Sequence, residues 1–214
     1  MSTFVIKGVL DRVGGLLALV LALPLMLVIA IALKLEHPRL PLLFIDWVAG
    51  KDGKPFRFAK FRTMLPHPID YENRPEVYLS NPLITRVGRW LRRYKLDELP
   101  QLVHVIAGSM SFVGPRPMDV HRYRRASDFF KQRCLVKPGL TGIAQISGNT
   151  QLSWEVRMEK DLWYIAHWSL KLDLEILRHT VGVILFGEKV VDDPLTSQRI
   201  TDHHVRVPRP GRRR

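Results

Sequence analysis

The stretch that decides the fold is Val13–Leu33, which reads VGGLLALVLALPLMLVIAIAL. These 21 residues contain no charged side chain and no Ser, Thr, Asn, Gln or His. A helix of this length measures about 31 Å, which matches the hydrocarbon thickness of a bilayer. The sequence therefore predicts a chain attached to a membrane through its N-terminal region. A cleavable signal peptide is the weaker interpretation, because the run exceeds an ordinary h-region and Lys34–Pro38 offers no small-residue cleavage pattern.

Pro24 lies near the middle of this run and predicts a sharp bend or break, because proline removes a backbone hydrogen bond and clashes with the preceding turn. Cations flank both ends of the run, and the positive-inside tendency then favours the cytoplasmic side for both ends. The flanking cations are Lys7, Arg12, Lys34 and Arg39. Sequence physics leaves two alternatives open: a re-entrant helix-break-helix within one leaflet, and a kinked helix that spans the bilayer.

The rest of the chain is basic and of a size for one compact domain. The 214 residues carry 33 Lys and Arg against 20 Asp and Glu, which gives a formal charge of +13. The single cysteine, Cys134, excludes an intrachain disulfide and fits a reduced compartment. We divide the chain into a membrane-inserted hairpin at 1–40, a cytosolic-face domain at 41–190 and a basic polar tail at 191–214.

Hydrophobic periodicity predicts an α+β fold, mainly helical with a small β element. Two short strands, Leu42–Ile45 and Phe56–Phe61, flank a turn at Lys51–Lys54. Helical patterns cover the following segments: Ile84–Ala107 with a break after Leu99, Asp119–Lys131, Leu152–His167 and Leu170–Phe186. In the first of these, five cations alternate with apolar positions, which is typical of an amphipathic helix in a membrane interface. A solvated basic surface is the alternative.

The strongest candidate for chemistry is Lys95–Leu102, in which Asp97 and Glu98 directly follow these cations. A carboxylate can attack phosphorus, and nearby cations keep it ionised. A divalent cation, Mg²⁺ above all, would offset the charge of a diphosphate beside an acid. Two adjacent acids alone would indicate only a solvated acidic pair.

Two loops further along are suited to anions. In Ser111–Pro117 the side chain of Arg116 lies between Pro115 and Pro117, whose rings stiffen the backbone for phosphate recognition. Pro138–Gln145 contains two glycines that let backbone amides approach an anion. Neither loop is a Walker or Rossmann motif, so neither alone supports nucleotide binding.

Taken together, these motifs resemble the bacterial monotopic phosphoglycosyl transferases over residues 5–186. The motifs, in order, are the apolar run with Pro24, Lys60–Met64, Leu96–Leu102, Met110–Pro117, Pro138–Gln145, Asp161–Tyr164, Trp168–Leu170 and Asp173. The resemblance implies an enzyme on the cytoplasmic face of the bacterial inner membrane, anchored by a re-entrant hairpin broken at Pro24. It also implies transfer of a phospho-sugar from a UDP-sugar to polyprenyl phosphate with Mg²⁺, by ping-pong chemistry that releases UMP.

By the same resemblance, Asp97 is the nucleophile and a metal ligand, and Glu98 assists it. The substrate-binding residues that the resemblance implies are Lys60, Arg62, Arg92, Pro115, Arg116, Pro117, Thr141, Gln145 and Asp161. The chain departs from the family pattern at three places. These are Leu23 in place of Ser, Ile45–Trp47 in place of Gln-x-Arg, and Gly148–Thr150 in place of Gly-Arg-Asn, where Asn149 replaces a cation.

Two other classes of protein compete with this interpretation. The alternative is a non-enzymatic basic peripheral membrane protein that binds anionic lipids, which is also compatible with the composition. Nucleic-acid binding fits the charge but lacks any zinc-finger, RNP or helix-turn-helix pattern, so no nucleic-acid partner is expected. The expected partners are the UDP-sugar, the polyprenyl phosphate and membrane lipids. The oligomeric state stays open, with a homo-oligomer among the alternatives.

Overall fold

The fold is described from a computed structural model of the chain, over residues 3–68 and 79–186. The basic tail predicted at 191–214 lies outside the described residues.

The N-terminal apolar run forms one long helix, α1 (Thr3–Glu36), and Pro24 lies inside it. Its length and composition suffice to cross a membrane, and most of its apolar side chains are exposed. The helical assignment continues through Pro24, so the predicted division into two helices is not seen. Proline is tolerated here because one missing backbone hydrogen bond does not prevent the flanking turns from forming theirs.

The predicted hairpin is confirmed, although its first strand is longer than expected. Strands β1 (Leu43–Ala49) and β2 (Pro55–Phe61) pair antiparallel, with Leu43 opposite Phe61. A 3₁₀ turn at Lys51–Gly53 connects them, as the turn residues predict.

Three further strands are very short. Strand β4 (Met118–Asp119) adds to the free side of β1, while β3 (Ser111–Val113) pairs in parallel with β5 (Gly139–Thr141). The sequence did not predict these strands, because two or three residues carry no periodic pattern.

The helical pattern at Ile84–Ala107 divides into three pieces. Helix α2 (Arg86–Arg93) ends at Tyr94, a 3₁₀ turn covers Leu96–Gln101, and α3 (Leu102–Ala107) follows. The predicted break after Leu99 is wrong. The chain breaks at Lys95, whose φ of 58° and ψ of 17° are left-handed, and Pro100 is accommodated within the 3₁₀ turn.

The remaining helices agree with the sequence except at one place. Helices α7 (Trp154–His167) and α8 (Leu170–Phe186) lie where their patterns predict. The segment Asp119–Lys131 instead forms two short helices, α4 (Val120–Arg125) and α5 (Asp128–Lys131), because Ser127 caps the second of them. A single helical turn, α6 (Ile143–Ile146), precedes α7.

Two apolar clusters hold these elements together. The larger joins β3 and α6 to α7 and α8 through Val113, Ile143, Leu162 and Ile176. The smaller packs Ile29 and Leu33 of α1 on Phe61 and Leu91. The second cluster lies directly beneath the 3₁₀ turn, because Leu96 and Leu99 of that turn pack against it.

Candidate active site

Asp97 and Glu98 are presented by the short 3₁₀ turn between α2 and α3. The left-handed backbone of Lys95 reverses the chain so that the turn folds back over β2. Consecutive side chains in a 3₁₀ turn diverge by about 120°, so the two carboxylates point in different directions. The structure thus supports distinct roles for the two acids.

Asp97 is a buried carboxylate that has no hydrogen-bonding partner among the described residues. It is 4% exposed, and no donor in the described part of the chain bonds to it. Burial, together with the adjacent Glu98, raises the pKa of Asp97 above its usual range, and Lys60 and Arg92 offset part of this effect. An unsatisfied carboxylate surrounded by cations is a group prepared for a ligand.

The pKa of Glu98 is shifted in the opposite direction from that of Asp97. Its Oε1 accepts a hydrogen bond from the Arg116 guanidinium at 3.0 Å. Burial acts to raise the pKa of Glu98, but Arg116, Lys95 and Lys60 outweigh it, so the pKa lies below its ordinary value. Adjacent acids whose pKa values are pushed apart can divide acid, base and nucleophilic roles between them.

Lys60 approaches the carboxylates from the end of β2. Its Nζ lies 5.5 Å from the centroid of the Phe44 ring, on the same face of the hairpin. Burial lowers the pKa of Lys60, and Arg92 adds to that effect while Asp97 opposes it. Lys60 is therefore a partly desolvated cation within electrostatic range of both acids.

Arg92 comes from the last turn of α2 and is fixed by a buried hydroxyl. Its Nε donates to Thr63 Oγ1 at 2.9 Å, and Thr63 is itself only 3% exposed. This leaves the terminal nitrogens of Arg92 for other partners, beside Asp97. The sequence did not single out Thr63, although it lies within the Lys60–Met64 motif.

Arg116 is held by a rigid loop between β3 and β4. The amide of Gly139 donates to the carbonyl of Pro115 at 2.8 Å, and the amide of Gly114 donates to the carbonyl of Thr141 at 2.9 Å. A Cβ atom at Gly139 would collide with the backbone nitrogen of Gly114, so only glycine permits this approach. The loop that the two prolines were predicted to stiffen is thus also fixed from outside.

Six of the predicted binding residues, Pro115 and Pro117 among them, are not members of this cluster of Lys60, Arg92, Asp97, Glu98 and Arg116. Arg62 packs on the Phe44 ring, Thr141 Oγ1 lies 2.7 Å from Thr180 Oγ1, and Asp161 bonds to buried Arg133. Gln145 is 7% exposed, and among the described residues neither polar atom of its amide has a hydrogen-bonding partner. Pro117 follows Arg116 in the same loop, and Pro24 is an exposed residue of α1.

The structure also reveals Arg133 as a neighbour of the site. This side chain is 3% exposed and donates to the backbone carbonyl of Arg116 at 2.8 Å. Its neighbours in the sequence, Gln132 and Cys134, give no indication of this contact, because it depends on a fold that brings distant segments together.

The described residues contain no group of three or more His, Cys, Asp or Glu that could hold a metal ion. Asp97 and Glu98 alone offer two carboxylates. Mg²⁺ commonly binds one or two carboxylates and completes its shell with water and substrate phosphates, so the donor set fits a metal that arrives with a phosphorylated substrate.

The arrangement combines a buried carboxylate, a second carboxylate held ionised, and three cations. Such a site can bind a diphosphate and attack it, because the cations neutralise phosphate oxygens while the carboxylate supplies the electron pair. The geometry therefore favours phosphoryl chemistry over the passive binding of a lipid headgroup.

Comparisons with known proteins agree with this chemistry. The chain is 41% identical over 184 residues to the UDP-glucose:undecaprenyl-phosphate glucose-1-phosphate transferase of Escherichia coli strain K12, covering 82% of this chain and 39% of that protein. It is 35% identical over 188 residues to the UDP-N-acetylgalactosamine-undecaprenyl-phosphate N-acetylgalactosaminephosphotransferase of Aeromonas hydrophila, covering 85% of this chain and 44% of that protein. The chain thus spans about two fifths of the length of these two relatives.

A shorter relative is matched over most of its length. The uncharacterized sugar transferase EpsL of Bacillus subtilis strain 168 is 38% identical over 162 residues, which cover 75% of this chain and 79% of that protein. The profile of the family described as bacterial sugar transferase matches residues 2–187, and this range includes the whole cluster around Asp97. The chain belongs to the bacterial sugar transferase family.

Proposed function

We propose that this protein transfers a phospho-sugar from a UDP-sugar to undecaprenyl phosphate, as the first membrane step of glycoconjugate synthesis. The observation that carries the proposal is the unpartnered, 4% exposed carboxylate of Asp97 beside Glu98 and three cations. The names of the relatives described above supply the substrate class.

In the first half-reaction, a carboxylate oxygen of Asp97 attacks the sugar-bearing phosphorus of the UDP-sugar. The bond from that phosphorus to the bridging oxygen breaks, and UMP leaves with the electron pair. Asp97 then carries the phospho-sugar as an acyl phosphate. Lys60, Arg92 and Arg116 bind the diphosphate oxygens and stabilise the charge that moves onto the leaving group.

In the second half-reaction, an oxygen of undecaprenyl phosphate attacks the same phosphorus, and Asp97 leaves as a free carboxylate. The product is undecaprenyl-diphospho-sugar. Glu98, whose lowered pKa keeps it ionised at neutral pH, accepts the proton of a singly protonated acceptor phosphate. The Arg116 guanidinium holds Glu98 in place for this role.

Mg²⁺ fits the donor set of this site, with Asp97 as its protein ligand and the substrate phosphates completing the shell. When bound, the ion would neutralise diphosphate charge that the three cations do not reach. The purified protein should therefore lose UMP release in EDTA and recover it when Mg²⁺ is added back.

The decisive experiment separates the two half-reactions. Detergent-solubilised protein is mixed with Mg²⁺ and UDP-glucose, UDP-galactose or UDP-N-acetylgalactosamine, without acceptor. We expect about one equivalent of UMP per protein and a matching mass increase on Asp97, both absent in Asp97→Asn. Continuous UMP release should then require undecaprenyl phosphate.

The experiment also tests the competing interpretation. If no donor releases UMP with acceptor present, and the protein binds only anionic vesicles, the chain is a basic peripheral membrane protein. If Asp97→Asn releases UMP at the wild-type rate, the reaction stands and the nucleophile is another group.

We also propose that α1 enters the membrane from the cytoplasmic face, bends at Pro24, where proline removes one backbone hydrogen bond, and returns to the same face. Both ends of α1 contact the same folded domain: near its start, Lys7 Nζ lies 2.6 Å from Asp173 Oδ2, and at its end Glu36 accepts a hydrogen bond from the amide of Arg86 at 2.7 Å. A span that places the start of α1 across the bilayer would break the first contact. The exposed apolar middle of the helix is the part that enters lipid.

Cysteine accessibility tests this topology. Thr3→Cys and Lys54→Cys place thiols at exposed positions at the start of α1 and on the hairpin, while native Cys134 is buried with a thiol pKa raised to about 11. In sealed inverted membrane vesicles, whose cytoplasmic face is outward, both thiols should react with an impermeant maleimide. Protection of position 3 alone would mean that α1 spans the bilayer.

A further inference from the structure

We propose that Arg133 is a positioning residue that fixes the Arg116 loop beside the two carboxylates, and that Asp161 acts as its buried counter-ion and not as a substrate ligand. This inference rests on the proposed function, because it assigns a role within the same site.

The contacts form a continuous series from the core to the site. One terminal nitrogen of Arg133 donates both to the backbone carbonyl of Arg116, at 2.8 Å, and to Asp161 Oδ2. The side chain of Arg116 then bonds to Glu98 at 3.0 Å. A shift of the Arg133 guanidinium would therefore shift the backbone that carries the Arg116 side chain.

The Arg133 guanidinium is itself held by contacts on several sides. Its side chain is 3% exposed, that of Asp161 is 1% exposed, and the guanidinium lies 5.8 Å from the centroid of the Trp154 ring. Buried charged pairs of this kind are costly to form and are sensitive to loss of one partner, so they favour a single geometry. Arg133 thus presents its donor to Arg116 from a defined position.

The backbone of Arg116 lies between two points that are already fixed, and Arg133 adds a contact between them. The preceding residue is tied to Gly139 and the following strand, β4, is tied to β1. The Arg133 bond holds the carbonyl between these two fixed points.

Asp161 is correspondingly poorly placed to bind a substrate. It is 1% exposed, and its one bonded oxygen faces Arg133, while its Oδ1 is buried without a hydrogen-bonding partner. Family resemblance implies that Asp161 binds the substrate. Its contacts instead indicate that it acts on the site indirectly, by holding Arg133. Enzymes lose activity when residues that hold a binding group in place are substituted, even though those residues do not touch the ligand.

The test uses two variants of the full chain in detergent. Arg133→Lys keeps the charge beside Asp161 but replaces the planar guanidinium by a single ammonium, which cannot reproduce the Arg116 contact in the same geometry. Arg133→Met combined with Asp161→Leu removes both charges, and such apolar replacement of a buried pair is often neutral for stability. Lys131→Gln, which removes an exposed pair with Asp128, is the control.

For each variant, kcat and KM for the UDP-sugar are measured, together with hydrogen exchange of the peptide covering residues 114–118, which reports on the amides of Arg116 and Met118 because Pro115 and Pro117 have none. We expect kcat to fall by about 10- to 100-fold in both variants, with KM changing much less, and exchange in this peptide to accelerate. Lys131→Gln should match the wild type in all three measurements.

Two results would overturn the proposal. If either variant keeps kcat within twofold of the wild type and shows unchanged exchange, Arg133 serves stability alone. If KM rises while kcat and exchange are unchanged, Asp161 or Arg133 binds the substrate directly. Failure of the wild type to release UMP would instead refute the proposed function, and the exchange measurement would still decide whether Arg133 fixes the loop.

Discussion

Asp97 and Asp173 are both buried aspartates, and they differ in what surrounds them. Asp97 is 4% exposed and receives no hydrogen bond in the described part of the chain. Asp173 is 6% exposed and receives three, from Lys7 Nζ at 2.6 Å, Tyr164 Oη at 2.6 Å and Trp168 Nε1 at 3.1 Å.

The difference shows that burial alone does not identify a reactive carboxylate. The lone pairs of Asp173 are occupied by donors that join α1, α7 and α8, so this group is committed to structure. No donor among the described residues occupies the lone pairs of Asp97, although cations lie nearby, so this group is available to a substrate. Removing the carboxylate should therefore have different effects at the two positions. At Asp97 it should abolish activity, and at Asp173 it should lower stability.

The largest expected effect is on activity at Asp97. Asp97→Asn should lower the rate of UMP release by on the order of 10⁴-fold or more, because the amide cannot form the covalent intermediate. The melting temperature should stay the same or rise, because the substitution removes a buried group whose raised pKa already disfavours its charge. Steady-state kinetics and thermal unfolding in detergent check the two effects.

A marked fall in melting temperature for Asp97→Asn would break the comparison. It would mean that Asp97 holds the fold together, as Asp173 does, and the loss of activity could then no longer be assigned to the chemistry.

The next largest effect is on stability at Asp173. Asp173→Ala should lower the free energy of unfolding by about 3–5 kcal/mol, because it leaves Lys7 and Trp168 without their acceptor, while Tyr164 keeps only the carbonyl of Val113. Asp173→Asn should cost less, since its amide oxygen still accepts from Tyr164 or Trp168. Chemical denaturation followed by tryptophan fluorescence measures both.

A matched control tests whether the loss arises at the contact with α1. Lys7→Met removes only the charge from that side and should release the start of α1, giving faster proteolysis near residue 7 with the core intact. Equal stability of Asp173→Ala and wild type would show that the buried network around Asp173 contributes nothing.

The sequence does not show how the surroundings of Asp97 and Asp173 differ, but it does indicate where the candidate site lies. Asp97 and Glu98 stand out because two acids directly follow a run of cations, and helix α8 follows its apolar periodicity from Leu170 to Phe186. Local patterns of this kind survive folding, because they reflect burial along a single element.

Features that depend on distant partners could not be predicted in the same way. The left-handed backbone of Lys95 has no signal, since lysine is not a residue that favours this conformation. Arg133 lies 17 residues from Arg116 and 28 from Asp161, and β3 pairs with β5 across a similar interval. Which acid receives donors is likewise set by tertiary contacts, so sequence alone could not separate Asp97 from Asp173.

Asp161 is a third buried aspartate and gives a smaller, pH-dependent effect. Burial raises its pKa to about 6, against the opposing effects of Arg133, Arg157 and Arg116. The folded chain then binds the proton more tightly than the unfolded chain, whose aspartates titrate near pH 4. The contribution of Asp161 to stability is therefore full below about pH 4 and is lost as pH rises towards 6.

Comparison with Asp161→Asn isolates this contribution. The free energy of unfolding of wild type minus that of the variant should decrease by at most about 3 kcal/mol between pH 4 and pH 7. A difference that increases over the same range would mean that the pair with Arg133 lowers the pKa of Asp161, and that Asp161 resembles Asp173 more than Asp97.

The smallest effect concerns the cations that make Asp97 reactive without bonding to it. Thr63→Val preserves the shape of a 3% exposed side chain but removes the hydroxyl that accepts from Arg92 Nε at 2.9 Å. A hydrogen bond to a charged group contributes about 1.5–3 kcal/mol, so kcat/KM should fall by roughly 10- to 100-fold. Thr63→Ser, which keeps the acceptor, should retain most of the activity. If Val and Ser behave alike, the orientation of Arg92 does not matter, and proximity of positive charge alone is enough to distinguish Asp97 from a structural aspartate.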